Sequence, residues 1–217
     1  MLRGLPFWLI WLGFVTYAFV LAPPDRPDTL DLIQRLINMD IEGINPAIVA
    51  LFNLMGVYPL IYGCLLFADG QGQKVRAWPF FLGSVFVGAF ALLPYCALRE
   101  PNPQFRGTPN WWIKVTDSRI TGFLLAIGTI FLLLYGIKYG DWSDFVYQWR
   151  TSRFIHVMSL DFALLTLLFP WLLADDMARR GLQDNYLLYL FVSTVPLIGP
   201  AVYLTIRPNL IPASATA

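Results

Sequence analysis

Histidine occurs once in this chain of 217 residues and cysteine twice. A single histidine, His156, excludes a bis-histidine haem held within one chain. Neither HExxH nor CxxC is present, nor a glycine-rich nucleotide loop, nor a serine in a nucleophile-elbow context, so the standard signatures of zinc, redox, nucleotide and acyl-transfer enzymes are missing. Charged residues are scarce, 13% of the chain, with a net charge of +1, which gives no case for nucleic acid. No lysine lies mid-span to hold retinal.

Hydrophobic residues are abundant, at 57%. That balance belongs to a membrane protein. About 20 apolar residues in a helix cross the ~30 Å hydrocarbon core. Six runs qualify: 5–22, 47–68, 77–98, 120–137, 154–174 and 185–206. The expectation is an all-α fold, a single domain over 1–217 that forms a bundle of six transmembrane helices. A signal peptide ending near Val20-Leu21-Ala22 is the competing reading of the first run, and Pro23-Pro24 argues against cleavage there. On a six-span arrangement Lys and Arg are nearly level between the two faces, so orientation stays unassigned.

The connections add two short interfacial helices. Residues 28–38 place Leu30, Ile33 and Ile37 on one face, with Asp28 or Thr29 as N-cap. Residues 141–149 repeat the pattern with Trp142, Phe145, Val146 and Trp149, and Trp111-Trp112 stand beside Lys114. Cys64 and Cys96, on antiparallel spans, are expected at opposite depths and unpaired. Prolines 59, 94, 170 and 196 free backbone carbonyls inside the spans. Ser84 with Gly88, and Gly122 with Ala126, are spaced for close helix packing. The best internal echo, Tyr58-Pro59-Leu60-Ile61 against Val195-Pro196-Leu197-Ile198, is too short to count as a repeat.

The fifth run carries the candidate site. His156 lies ~3 Å and Asp161 roughly 10 Å into it, about 140° apart around the helix, so they form no simple acid-base dyad. A carboxylate at that depth needs a partner or a task. Depth matching offers Trp11, Tyr62, Ser84 and Thr129 as neighbours of Asp161, with Lys138 reaching down. Asp161, His156, Tyr62, Ser84, Thr129 and Trp11 are the candidate ligand-binding set. In an enzyme acting on a lipid or isoprenoid, Asp161 would be the acid, assisted by His156 or Tyr62. In a proton-coupled carrier, Asp161 would relay. As a plain structural group it would fix helix register. His156 is either an interfacial ring bonded to a carbonyl or a ligand to a chlorophyll or haem metal. Asp175-Asp176-Met177-Ala178-Arg179-Arg180 lacks the third acid and the second cluster of a prenyltransferase. Its acids are expected to pair four residues on with Arg179 and Arg180 beyond the bilayer, which leaves anion binding by the two arginines as an alternative.

Ala22-Pro23-Pro24 with Pro27-Asp28-Thr29-Leu30, Gly43-Ile44-Asn45-Pro46 with Phe52-Asn53-Leu54-Met55-Gly56, Gln73 to Phe80, and Arg153 to Phe162 with Asp175 to Arg180 resemble a family of uncharacterised cyanobacterial integral membrane proteins with plastid counterparts. The resemblance covers most of the chain. It implies a thylakoid or plasma membrane of a phototroph, and an accessory protein that assists photosynthetic complexes or binds a pigment, such as chlorophyll or a carotenoid, or a lipid.

Overall fold

The computed structural model describes residues 2–105 and 108–211, with Leu2 described for its backbone alone. Among the described residues the regular structure is helical: α1 (Leu5–Thr16), α2 (Thr29–Ile37), α3 (Pro46–Asp69), α4 (Ala77–Val87), α5 (Ala89–Leu98), α6 (Trp111–Thr116), α7 (Arg119–Tyr139), α8 (Trp142–Thr151), α9 (Arg153–Ala178), α10 (Tyr186–Thr194) and α11 (Ile198–Ile206). A π turn, Tyr17–Leu21, prolongs α1. Three helices, α3, α7 and α9, are long and apolar enough to cross a membrane, and Leu5–Leu21 is a shorter apolar helix.

The six-span expectation fails at two places. Residues 77–98 do not run straight. Gly88, at φ 52°, breaks them into α4 and α5. A Cβ on Gly83 would touch that of Ala91, the Phe80 and Tyr95 rings lie 5.5 Å apart, and Lys74 pairs with Glu100 at 2.7 Å. These contacts pair positions symmetrically about the break, so the two helices are antiparallel arms of a hairpin that enters and leaves on one face. Residues 185–206 do the same. Leu197, at φ 62°, marks the turn, Gly199 abuts the Val192 backbone, and the Ile211 N–H donates to the Arg179 carbonyl at 3.1 Å. The physical reason is local: a residue in the left-handed region cannot continue an α-helix. Gly88 is therefore a helix break, where the sequence suggested a packing glycine paired with Ser84.

The hairpins expose a repeat that the sequence phrases hid. A long helix, a short peripheral helix, a second long helix and a hairpin follow one another as α1 to α5, and again as α7 to α11. Equivalent side chains recur. Tyr95 donates to Asp69 at 2.6 Å and Arg99 pairs with Asp69. Tyr203 donates to Asp176 at 2.7 Å and Arg207 pairs with Asp176. Gly4 lies against the Ala97 carbonyl as Gly122 lies against that of Leu204, because only a residue without Cβ lets a helix meet the returning arm this closely.

Asp69, Arg99, Asp176 and Arg207 place both hairpin mouths and the C-terminal ends of α3 and α9 on one face, the hairpin face. The opposite face is covered by α2 and α8. There Leu36, Ile48, Val49, Ile155 and Met158 form a separate buried cluster, with Phe145 and Trp149 packed on it. Asn45 fixes α8 by donating to the Asp144 carboxylate at 2.8 Å, and Asp141 caps that helix through the N–H groups of Ser143 and Asp144. The hydroxyl of Ser143 and the Asp144 N–H hold the Asp141 carboxyl below the usual aspartate range.

Candidate functional site

Asp161 projects from α9 onto the turn of the first hairpin. Its Oδ1 accepts from the Ala89 N–H at 2.8 Å, and the Phe90 N–H also faces the carboxylate. These are the first amides of α5, which lack intrahelical acceptors because the helix starts inside the fold. Asp161 thus caps α5 from another helix, with its acceptor oxygen set against the positive end of the helix dipole. It is 4% exposed. A Cβ at Gly88 would lie 1.8 Å from Oδ2, so the glycine provides the turn and the space for the cap together.

The side chains expected around Asp161 are engaged elsewhere. Trp11 donates its indole N–H to the Phe90 carbonyl at 2.9 Å. That carbonyl is free because Pro94, four residues on, has no N–H to offer it. Tyr62 donates to the Leu165 carbonyl, Ser84 to that of Phe81 at 2.7 Å, and the buried Thr129 hydroxyl has no partner among the described residues. Lys138 is exposed and lies over the Tyr139 ring. Trp11 meets Phe90, the residue next to Ala89. The backbone amides that partner Asp161 are not legible in the sequence, because a helix start cannot be seen inside an unbroken apolar run.

His156 is also saturated. Nδ1 lies 2.8 Å from the Trp149 carbonyl, which only accepts, so this nitrogen carries the proton. Nε2 lies 2.8 Å from the Tyr17 hydroxyl and in the neutral ring accepts from it. The imidazole stacks near Trp149 at 4.3 Å between ring centroids. No nitrogen lone pair is left for a metal in this arrangement.

The acidic and basic run at the end of α9 is not a solvated extension. Asp176 and Arg180 pair at 2.8 Å as the spacing predicted. Asp175 instead pairs with Arg99, and Arg179 pairs with Asp69 at 3.1 Å. Arg180 also reaches Asp117 at 2.6 Å, and Arg207 joins Asp117 and Asp176. Asp69, Asp117, Asp175 and Asp176 therefore balance Arg99, Arg179, Arg180 and Arg207. Burial opposes the charge of Arg99 and Arg180, and their acid partners more than offset it, so both titrate above the ordinary arginine value. Arg179 and Arg180 are 1% and 3% exposed, which leaves them no open face for an external anion. Cys64 and Cys96 are free and buried. Since α5 returns to the hairpin face, both lie towards that face, contrary to the opposite depths expected of straight spans.

The feature that the sequence did not reveal is a lateral groove between α1 and α9. Towards the α2/α8 face it is an open depression of about 560 Å³ lined by Ile10, Gly13, Phe14, Ala163 and Leu167, with Tyr17, His156 and Trp149 at its end. Ile10, Leu164 and Leu167 are shared with a second cavity of about 500 Å³ that reaches Trp171, Arg99 and Asp175 at the hairpin face. The groove is apolar along its length and polar at its ends. Among the described residues no group of histidine, cysteine and acidic side chains is placed to hold a metal ion. No protein-family model, curated protein or solved structure matches the chain.

Proposed function

We propose that this is a non-enzymatic membrane accessory protein that holds a lipophilic molecule in the groove between α1 and α9. The observation that carries the reading is the difference between the two halves. In the second half α7 packs directly on α3, with Gly136 over Ala50 and Gly140 over Ala47. In the first half the equivalent helix α1 leans on α5 and leaves the side towards α9 open. A cleft lined by apolar side chains with polar groups at its ends has the composition of a site for a long apolar ligand. Asp161 is then a fold determinant that supports the groove from behind: it caps α5 beside Phe90, whose ring stacks on the groove residue Phe14 at 4.3 Å. A catalytic acid needs access to a substrate, and Asp161 is enclosed by Gly88 and Ala89.

The resemblance to cyanobacterial membrane proteins supports a finer proposal. The membrane is the thylakoid or plasma membrane of a phototroph, the ligand is a lipid or a pigment such as a carotenoid, and the role is assistance to photosynthetic complexes. Purification from the native membrane, followed by an absorption spectrum and mass spectrometry of bound small molecules, tests the reading. One lipophilic molecule per chain, lost when Ala163→Trp fills the groove, is the expected result. Identical content in both proteins would sink it.

The duplicated hairpins favour a second reading, a small carrier, because broken helices and repeats recur in transporters. It requires proton or solute flux into vesicles that Asp161→Asn abolishes without loss of fold.

A further inference from the structure

The two ends of the groove differ in a way that selects one kind of ligand. At the α2/α8 end, Tyr17, His156 and the Trp149 carbonyl satisfy one another. Nothing there calls for a charged group. At the hairpin face the groove continues into a cavity of about 170 Å³ lined by Arg3, Gly4, Cys96, Arg99, Pro101 and Trp171. Arg99 is neutralised by Asp69 and Asp175, and the buried network of four acids and four arginines cancels. Arg3 stands outside that balance, exposed and without an ion pair among the described residues. It sits in the short turn Leu2–Gly4 that leads into α1. Trp171, 43% exposed, lines both cavities and meets Phe7 at 4.9 Å between ring centroids. An indole beside a cation suits the headgroup level of a bilayer.

Length points the same way. From Arg3 to Tyr17 the helix rises roughly 21 Å, more than the ~15 Å that half the hydrocarbon core provides. An acyl chain that fills one leaflet with its head at Arg3 therefore ends against apolar side chains short of Tyr17 and His156.

We propose that the groove holds one anionic membrane lipid, its headgroup at Arg3 on the hairpin face and one acyl chain lying between α1 and α9. The assignment rests on the groove being the ligand site and adds the charge and direction of the ligand. The polar end groups of a pigment would find only saturated partners at His156, whereas a single negative head finds an uncompensated cation at Arg3.

The test is native mass spectrometry of the full chain after equilibration with vesicles of equal phosphatidylglycerol and phosphatidylcholine. One lipid per chain is expected, with phosphatidylglycerol enriched about fivefold, the worth of one basic residue at a membrane surface. Arg3→Gln should bring the two lipids to parity without changing the number bound. Ala163→Trp should remove the lipid altogether. Both positions are exposed, so neither change disturbs the core. Equal binding of the two lipids by the unaltered chain, or a neutral pigment or isoprenoid in their place, would overturn the headgroup assignment while leaving the groove as a ligand site. Absence of any bound lipophile, or binding that Ala163→Trp does not affect, would overturn both.

Discussion

Asp161 is the residue whose chemistry is most easily misread, because an acid deep in an apolar helix suggests proton transfer. Its bond to the Ala89 N–H assigns it a different task. An unmet backbone amide in a dry interior costs about 1–3 kcal/mol. Asp161→Ala should therefore destabilise the protein by about that much in thermal unfolding, while Asp161→Asn keeps an acceptor oxygen and should lose about 1 kcal/mol or less. Equal losses for the two variants would contradict the capping role. Trp11 offers an independent check on the same helix. Trp11→Phe orphans the Phe90 carbonyl and should cost about 1 kcal/mol, but in a Pro94→Ala background the restored amide at position 94 fills that carbonyl and the cost should shrink. A double-mutant cycle that came out additive would refute the compensation. Of this site, the sequence made legible the anomaly of Asp161 and the depth of Trp11. The partners were hidden because they are main-chain groups, which exist at every position and become available only where a helix begins.

At the level of elements, the hairpins depend on two devices, a left-handed turn at the tip and an ion network at the mouth. Gly88→Ala combines a strained φ with a Cβ placed on the Asp161 carboxylate, so it should lower the melting temperature more than Asp161→Ala does. At the mouth, Asp176 faces Arg179, Arg180 and Arg207 with no exposed surface. Buried ion pairs gain little over an apolar core, yet removal of one partner strands the others. Asp176→Asn should accordingly cost about 3–5 kcal/mol, measured by denaturant or thermal unfolding, and a change under 1 kcal/mol would mean that water reaches the network. The α8 cap adds a pH dependence. The folded Asp141 carboxyl titrates below its unfolded value, so its contribution is present above the ordinary aspartate pKa of about 3.9 and is lost as pH falls through the lower folded value. Tryptophan fluorescence of α8 should be unchanged at neutral pH and change only in strong acid. Hydropathy found every apolar run and the peripheral helices α2 and α8. It could not find the hairpins, since 22 apolar residues fit a straight span as well as a folded one, and only Gly88 and the Pro196-Leu197 step mark the turns.

For the whole molecule, the hairpins redraw which residues share a face. Arg3, Lys74, Arg76, Arg99, Lys114, Arg119, Arg179, Arg180 and Arg207 gather on the hairpin face, and Arg26, Arg35, Lys138, Arg150 and Arg153 on the face of α2 and α8. The near balance that six straight spans produced becomes a clear bias, from which the positive-inside rule predicts a cytoplasmic hairpin face. The same correction reveals the tandem repeat. Its sequence signal is an aspartate followed 26 or 27 residues later by a tyrosine that donates to it, with an arginine four residues beyond: Asp69, Tyr95 and Arg99, then Asp176, Tyr203 and Arg207. Three polar residues spread over some 30 positions are invisible to a search for shared phrases, although they are the residues that close each hairpin. The groove exists because α1 follows the first hairpin and stands away from α9, and the proposed lipid-holding role rests on it. The proposed role therefore depends above all on the hairpin fold of residues 77–98. Single cysteines at Asp40, Lys74, Glu100 and Ser143, in a chain with Cys64→Ala and Cys96→Ala, should be probed with a membrane-impermeant thiol reagent in intact cells and in inverted vesicles. Positions 74 and 100 should label together in inverted vesicles, and 40 and 143 together in intact cells. Labelling of 74 and 100 from opposite faces of the membrane would contradict the hairpin fold.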